Sequence, residues 1–148
     1  MGANFIRHFC WVAVNPKEAE NVELTNEVLK QMPEFLDKPN CLGVGETGLH
    51  KSTPNEIAAL EAHVEMAMKH DQLVLIHTPH LSDKAHGTKT VLEVLSGMDV
   101  NPDKIWIDHV EEETSAEETI IEIKTCVSVT IRVWILTFFS TSVIGFLL

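Results

Sequence analysis

Paired cysteines are missing from this sequence. Its three cysteines, Cys10, Cys41 and Cys126, lie far apart and form no Cys-x-x-Cys motif. This spacing excludes a disulfide framework and favours a reducing compartment. No small-residue cleavage pattern follows the short apolar N-terminus, which therefore does not read as a secretory signal. We expect a cytoplasmic protein.

Positive charge is also scarce. Eleven lysines and arginines stand against 22 acidic residues, which gives a formal net charge of −11. A surface of this sign does not attract nucleic acid or anionic lipid, so we expect no general nucleic-acid-binding surface. A bound cation would still create a local positive spot for a phosphate group. The sequence contains no P-loop and no nucleophile elbow.

Short apolar runs alternate with segments that carry helix-start signals. The runs FCWVAV, CLGVG, LVLI and IWID are typical of buried strands. Pro16 and Pro54 each follow a capping residue, and helices are predicted over 16–32, 54–70 and 88–96. This alternation predicts an α/β fold with parallel strands and crossover helices. The 148 residues indicate one domain, well short of the roughly 250 residues of a closed (β/α)8 barrel.

The stretch GVGETG matches the glycine pattern of dinucleotide-binding turns. Such a turn needs a helix that opens at the glycines, whereas the helix-start signal comes later, at Thr53 and Pro54. The acidic residue at a suitable distance, Asp71, precedes the next strand instead of following it. A dinucleotide site is therefore not favoured, and we expect Gly43, Gly45 and Gly48 to allow a tight turn at a strand end.

Polar residues close four successive predicted strands at nearly constant spacing. Asn15, Glu46, His77 and His109 are separated by 31, 31 and 32 residues, about the length of one strand–helix unit. Because the carboxyl ends of parallel strands open on one face, Glu46, His77 and His109 are expected to converge. A carboxylate with two imidazoles suits a divalent transition metal. Taken singly, each residue could instead be a cap, an ion-pair partner or a polar group at a loop start.

These strand ends resemble the TatD family of metal-dependent hydrolases, which belong to the amidohydrolase superfamily. The resemblance rests on GVGETGLH, VLIHTPH and IDHV, and it covers about residues 8–114. It implies a partial (β/α)8 TIM-type barrel, about strands three to six. It also implies metal ligands at Glu46, His77 and His109 around a divalent ion, with Zn, Mg and Mn not distinguished. The implied reaction is hydrolysis of an ester, phosphodiester or amide, with a small molecule or a nucleic-acid ester as substrate.

The chain departs from the family pattern at three places. It contains no His-x-His, it has no acidic residue after Glu122, and His50 replaces the aspartate of the family's Gly-Leu-Asp. The site is therefore expected to be incomplete in this chain, and no catalytic acid or base is assigned. The alternative is a truncated, inactive remnant that acts as a binding or membrane-associated protein.

The C-terminal segment differs from the rest of the sequence. We divide the chain into a partial-barrel domain, residues 1–124, and a hydrophobic tail, residues 125–148, which carries one charge, Arg132. The tail could anchor the protein in a membrane, complete the α/β domain as buried strand and helix, or be foreign to the fold. No signal for the oligomeric state is present.

Other polar residues lie near the predicted strand ends. The loop after His77 is predicted to run to Gly87, and its polar residues could bind a phosphate or carboxylate group; they are His80, Asp83, Lys84 and His86. Asp108 directly precedes His109, so in a regular strand it would point to the opposite face. We expect Asp108 to pair with a neighbouring helix.

Overall fold

Strands and helices alternate along the chain as predicted. The computed structural model describes residues 8–79 and 84–108, so His109 and the predicted tail lie outside the described residues. The strands are β1 (Cys10–Val12), β2 (Cys41–Gly48), β3 (Leu73–His77) and β4 (Ile105–Asp108). The α-helices are α1 (Val22–Gln31), α2 (Pro33–Leu36), α3 (Pro54–Lys69) and α4 (Lys84–Ser96).

The four strands form one sheet in the order β1-β2-β3-β4. Every neighbouring pair is parallel. The strands follow one another in the sheet in the same order as in the chain. All four carboxyl ends therefore open at the same edge of the sheet, as expected for a succession of strand–helix–strand units. This confirms the predicted α/β architecture.

The hydrophobic core lies on one face of the sheet, against the helices. Alternate residues of β3 and β4 are almost fully buried there, namely Val74, Ile76, Ile105 and Ile107. From α3, Leu60 and Val64 pack into the same cluster. Burying a side chain of this size stabilises the fold by about 1.5–3 kcal/mol. The residues between these buried positions therefore point to the opposite face of the sheet.

On the opposite face, the two edge strands reach each other through tryptophans. The ring centroids of Trp11, on β1, and Trp106, on β4, lie 6.0 Å apart at an angle of 51°. In a flat sheet these strands would be separated by three spacings, about 14 Å, with side chains standing perpendicular to the sheet. The sheet is therefore rolled toward this face, as the wall of a barrel is.

Three predicted boundaries differ from the structure. The predicted helix over 16–32 is interrupted, because the side chain of Asn21 accepts a hydrogen bond from Leu24 N–H and starts α1 anew. The loop predicted to continue to Gly87 is wrong, since α4 begins at Lys84. Phe9, predicted to begin a buried strand, lies outside β1 and is 54% exposed.

None of the helices in the described ranges is long and apolar enough to span a membrane.

The glycine motif lies inside β2, where it allows β3 to approach closely. A Cβ atom built on Gly43 would lie 2.2 Å from the Leu73 carbonyl oxygen, and one on Gly48 would lie 2.1 Å from that of His77. Both residues also have positive φ angles, +150° and +142°. The predicted turn at a strand end is thus wrong. The motif serves strand packing, and α3 opens only at Pro54.

A buried histidine joins α3 to the chain beyond β1. His63 is fully buried, and its Nε2 accepts a hydrogen bond of 3.0 Å from Val14 N–H. Its Nδ1 lies 2.6 Å from the Ala59 carbonyl oxygen. Since an amide only donates and a carbonyl only accepts, the ring is neutral with its proton on Nδ1. Burial lowers the pKa of His63, and the Ala59 contact opposes this effect more weakly.

We predict that Gly48→Ala lowers the free energy of unfolding by about 3 kcal/mol. The new Cβ would collide with the His77 backbone, and alanine is strained at this φ. Urea unfolding measures the difference. Gly97→Ala is the matched control, because the nearest atom to its Cβ would be 3.5 Å away. An equal loss in both variants would contradict the close approach of β2 and β3.

We predict that His63 destabilises the protein in acid. Its pKa is lowered by folding from the ordinary value of 6.5, so the unfolded chain binds more protons. The contribution of neutral His63 to the free energy of unfolding is complete above about pH 6.5 and is lost as the pH falls toward the folded-state pKa. There a protonated ring cannot accept from Val14 N–H.

Urea unfolding between about pH 8 and pH 5 tests this dependence. Within the sensitive range, wild type should lose up to about 1.4 kcal/mol per pH unit more than His63→Gln. His86→Gln, at an exposed position of α4, should keep the wild-type pH dependence. Parallel curves for wild type and His63→Gln would show that His63 is not the titrating group.

Candidate metal centre

Glu46 and His77 meet at the carboxyl-terminal edge of the sheet. Glu46 Oε1 lies 3.1 Å from His77 Nδ1. Because an ionised carboxylate only accepts, Nδ1 carries the ring proton and the lone pair of a neutral ring sits on Nε2. The His77 side chain is 14% exposed and that of Glu46 is 37% exposed. A carboxylate and an imidazole thus share a partly screened position, as predicted, although β2 continues past Glu46 to Gly48, which is the register partner of His77.

A register shift brings Glu46 to this side of the sheet. Val44 pairs with Val74 and Thr47 pairs with Ile76, so three steps along β2 match two along β3. The extra residue is a bulge, which redirects side chains relative to strict alternation. Val44 and Thr47 are both buried, and Glu46 projects toward His77. The peptide bond between Gly45 and Glu46 is cis.

The loop after β2 is held by one carboxylate. Glu56, in the first turn of α3, is 2% exposed and accepts hydrogen bonds from three consecutive backbone amides. They are His50 N–H at 2.9 Å, Lys51 N–H at 2.8 Å and Ser52 N–H at 2.8 Å. Immediately before them, Leu49 N–H donates to the His77 carbonyl oxygen. These bonds fix the path of the loop beside His77.

The position of Asp108 corrects the sequence-based expectation. Asp108 is the register partner of His77, and registered residues of neighbouring parallel strands share a face. It therefore lies on the side of the predicted metal ligands and not on the helical side. The Thr78 hydroxyl donates to the Asp108 carbonyl oxygen at 3.0 Å, which ties the ends of β3 and β4 together. The strand alternation of buried Ile105 and Ile107 could have indicated this.

The structure describes two of the three predicted ligands. His109 comes directly after β4 and is outside the described residues, as are His80 and Asp83 of the proposed substrate loop. Within residues 8–79 and 84–108, no three histidine, cysteine or acidic side chains group closely enough to hold a metal ion. The convergence of Glu46 with His77 is therefore observed, and the role of His109 stays a prediction.

The donor atoms present fit a divalent cation. A carboxylate oxygen is a hard ligand and an imidazole nitrogen a borderline one, and the combination suits zinc or manganese. Nearby, His50 Nδ1 is buried and has no hydrogen-bond partner among the described residues. Sequence reasoning had noted His50 only as a departure from the Gly-Leu-Asp motif.

Comparison with known proteins finds a similar sequence. A metal-dependent hydrolase of Methanocaldococcus jannaschii, described as uncharacterized, is 33% identical over 87 residues. The match covers 59% of this chain and 34% of the relative. The chain therefore spans about a third of the length of this relative.

A solved structure shares the fold. The crystal structure of a TatD-like protein from Archaeoglobus fulgidus aligns with a TM-score of 0.54 and 30% identity, over 70% of this chain and 42% of that one. The parallel sheet and its helices are thus part of a TIM-type barrel. The family model described as TatD related DNase matches residues 2–139. The chain belongs to the TatD family of metal-dependent hydrolases.

Proposed function

We propose that Glu46, His77 and His109 bind one divalent cation at the carboxyl ends of β2 to β4. We further propose that this centre hydrolyses an ester bond, with a phosphodiester as the first candidate. The observation that carries the proposal is the 3.1 Å contact between Glu46 and His77. It joins two ligand types from neighbouring strands at the edge where parallel α/β folds place their sites.

The third ligand follows from the order of the strands. β4 lies next to β3 in the sheet, and His109 is the residue after its last position, Asp108. A ligand from this strand end would complete the carboxylate and two imidazoles suggested by the sequence. Asp108 shares the face of His77, so it is the competing candidate.

The chain's own residues prepare the site for a cation. Glu46 Oε1 and His77 Nδ1 lie 3.1 Å apart, a separation at which both atoms could bind one cation about 2.1 Å from each. The loop fixed by Glu56 limits the movement of the His77 backbone through the Leu49 bond. A divalent ion, when bound, lowers the pKa of water and polarises the scissile bond.

Several observations favour a phosphodiester over other esters. The matching family is described as TatD related DNase, and a cation would offer a local positive charge to a phosphate. The formal net charge of −11 opposes any broad electrostatic attraction to DNA. Contact with a nucleic-acid substrate would therefore be confined to the strand-end face. Because His-x-His and a late aspartate are missing, cation binding and turnover are measured separately.

We predict that Glu46→Gln weakens binding of Mn²⁺ or Zn²⁺ at least tenfold. The amide keeps the shape of the side chain but removes the negative charge that would face the ion. Isothermal titration calorimetry of the purified full chain measures the dissociation constant. Glu65→Gln, an exposed position of α3, removes the same charge elsewhere and should bind like wild type. Unchanged affinity in Glu46→Gln would exclude Glu46 as a ligand.

The same titration separates the two residues at the end of β4. His109→Ala should lose affinity as Glu46→Gln does, whereas Asp108→Asn should retain most of it. The reverse pattern would assign the third position to Asp108 and overturn the proposed ligand set.

We predict metal-dependent hydrolysis of bis(p-nitrophenyl) phosphate, with a loss of at least about a hundredfold in His77→Ala. Release of p-nitrophenol is followed with Mg²⁺, Mn²⁺ and Zn²⁺ in turn. His70→Ala, a histidine at the far end of α3, serves as control. Turnover that is independent of metal, or equal in His77→Ala, would contradict the proposed reaction. Stoichiometric metal without turnover would instead support a binding protein.

A further inference from the structure

Two cysteines that are far apart in sequence are neighbours in the sheet. Cys10 begins β1 and Cys41 begins β2, and the two residues are register partners. Neighbouring strands lie about 4.8 Å apart, which falls within the Cα separations that a disulfide spans. The register shifts between Cys10 and Trp11, so strict alternation does not fix the directions of the two side chains. The spacing of the strands meets the Cα–Cα requirement for a bridge.

Each of the two thiols lies against a backbone carbonyl oxygen. Both cysteines are unbonded, Cys10 exposed and Cys41 half-buried. Cys10 Sγ lies 3.6 Å from the Asn40 carbonyl oxygen, and Cys41 Sγ lies 3.6 Å from that of Gly43. Burial is the main cause that raises the pKa of the Cys41 thiol, and the contact with the Gly43 backbone opposes it.

We propose that Cys10 and Cys41 form a reversible disulfide when the protein meets a hydroperoxide. The exposed Cys10 thiol gives its proton to solvent, and the thiolate attacks one oxygen of hydrogen peroxide. The O–O bond breaks, Cys10 becomes a sulfenic acid, and the leaving hydroxide takes up a proton to form water. The Cys41 thiol then attacks the Cys10 sulfur, an S–S bond forms and a second water leaves. Two thiols are oxidised by two electrons and one hydrogen peroxide is reduced to two waters, so the step balances.

The unequal exposure of the two thiols assigns their roles. Accessibility and a neighbouring thiol that resolves the sulfenic acid are two features of an oxidation-sensing cysteine. Cys10 meets the first condition, and half-buried Cys41, fixed in β2, meets the second. Both stand at the amino end of their strands, whereas Glu46 and His77 stand at the carboxyl end. The bridge would fasten β1, a three-residue edge strand, without touching the proposed metal centre.

A reducing compartment is compatible with this chemistry. Disulfides in such compartments are transient and act in redox sensing. An exposed bridge between neighbouring strands is also expected to be more easily reduced than a buried structural one. The proposed bond is therefore a modification that forms and is removed, and not a permanent part of the fold.

Thiol counting on the full chain tests the proposal. After treatment with hydrogen peroxide, reactive thiols should fall from three to one, and the monomer should lose the mass of two hydrogen atoms. Dithiothreitol should restore both values. Peptide mapping should place the bond between Cys10 and Cys41. The oxidised form should melt at a temperature higher by roughly 5 °C or more.

Single variants in a Cys126→Ser background separate the two roles. In Cys41→Ser, dimedone should trap a sulfenic acid on Cys10, because the resolving thiol is missing. In Cys10→Ser, the half-buried Cys41 should react at least tenfold more slowly with peroxide. Cys10 is exposed, so its substitution leaves the packing of the sheet intact, and circular dichroism verifies the fold. Oxidation to sulfinic acid without an S–S bond, or bridges formed only between molecules, would overturn the proposal.

Discussion

The close approach of β2 and β3 is the constraint on which the other features depend. Gly43 and Gly48 carry no side chain where the β3 backbone passes, and a Cβ at either position would overlap a carbonyl oxygen. This contact sets the register in which one extra residue of β2 is accommodated before Thr47. The bulge in turn brings the Glu46 carboxylate to within 3.1 Å of His77. A glycine motif that resembles a nucleotide-binding turn thus serves to place a carboxylate beside an imidazole.

Much of the fold and of the contact between Glu46 and His77 could be predicted, because residues close together in the sequence mark the end of a strand. Apolar runs with a polar residue at the end, at intervals of about 31 residues, gave the strand order and the edge at which Glu46 and His77 meet. The bulge could not be predicted, since strict alternation in β2 would place Glu46 with Val44 on the helical face. The predicted direction of Asp108 was wrong, because it was inferred from the assumed direction of His109. Ile107, directly before Asp108, is buried, so Asp108 points to the other face. The bond between His63 and Val14 N–H joins distant segments, and no local pattern reports such a contact.

The shape of the sheet agrees with the family assignment. Two edge strands whose tryptophans meet at 6.0 Å belong to a curved wall, and the TatD-like structure from Archaeoglobus fulgidus shares that fold over 70% of this chain. A curved wall places the strand ends around a common centre, which a flat sheet would not do. Curvature therefore agrees with the proposal that Glu46, His77 and His109 converge.

The three amides gathered by Glu56 have a consequence for how this loop can change over evolutionary time. The carboxylate recognises only backbone atoms of His50 and Lys51, so the identity of those side chains is irrelevant to the hydrogen bonds. Lineages can therefore exchange residues at these two places while the main chain keeps its course.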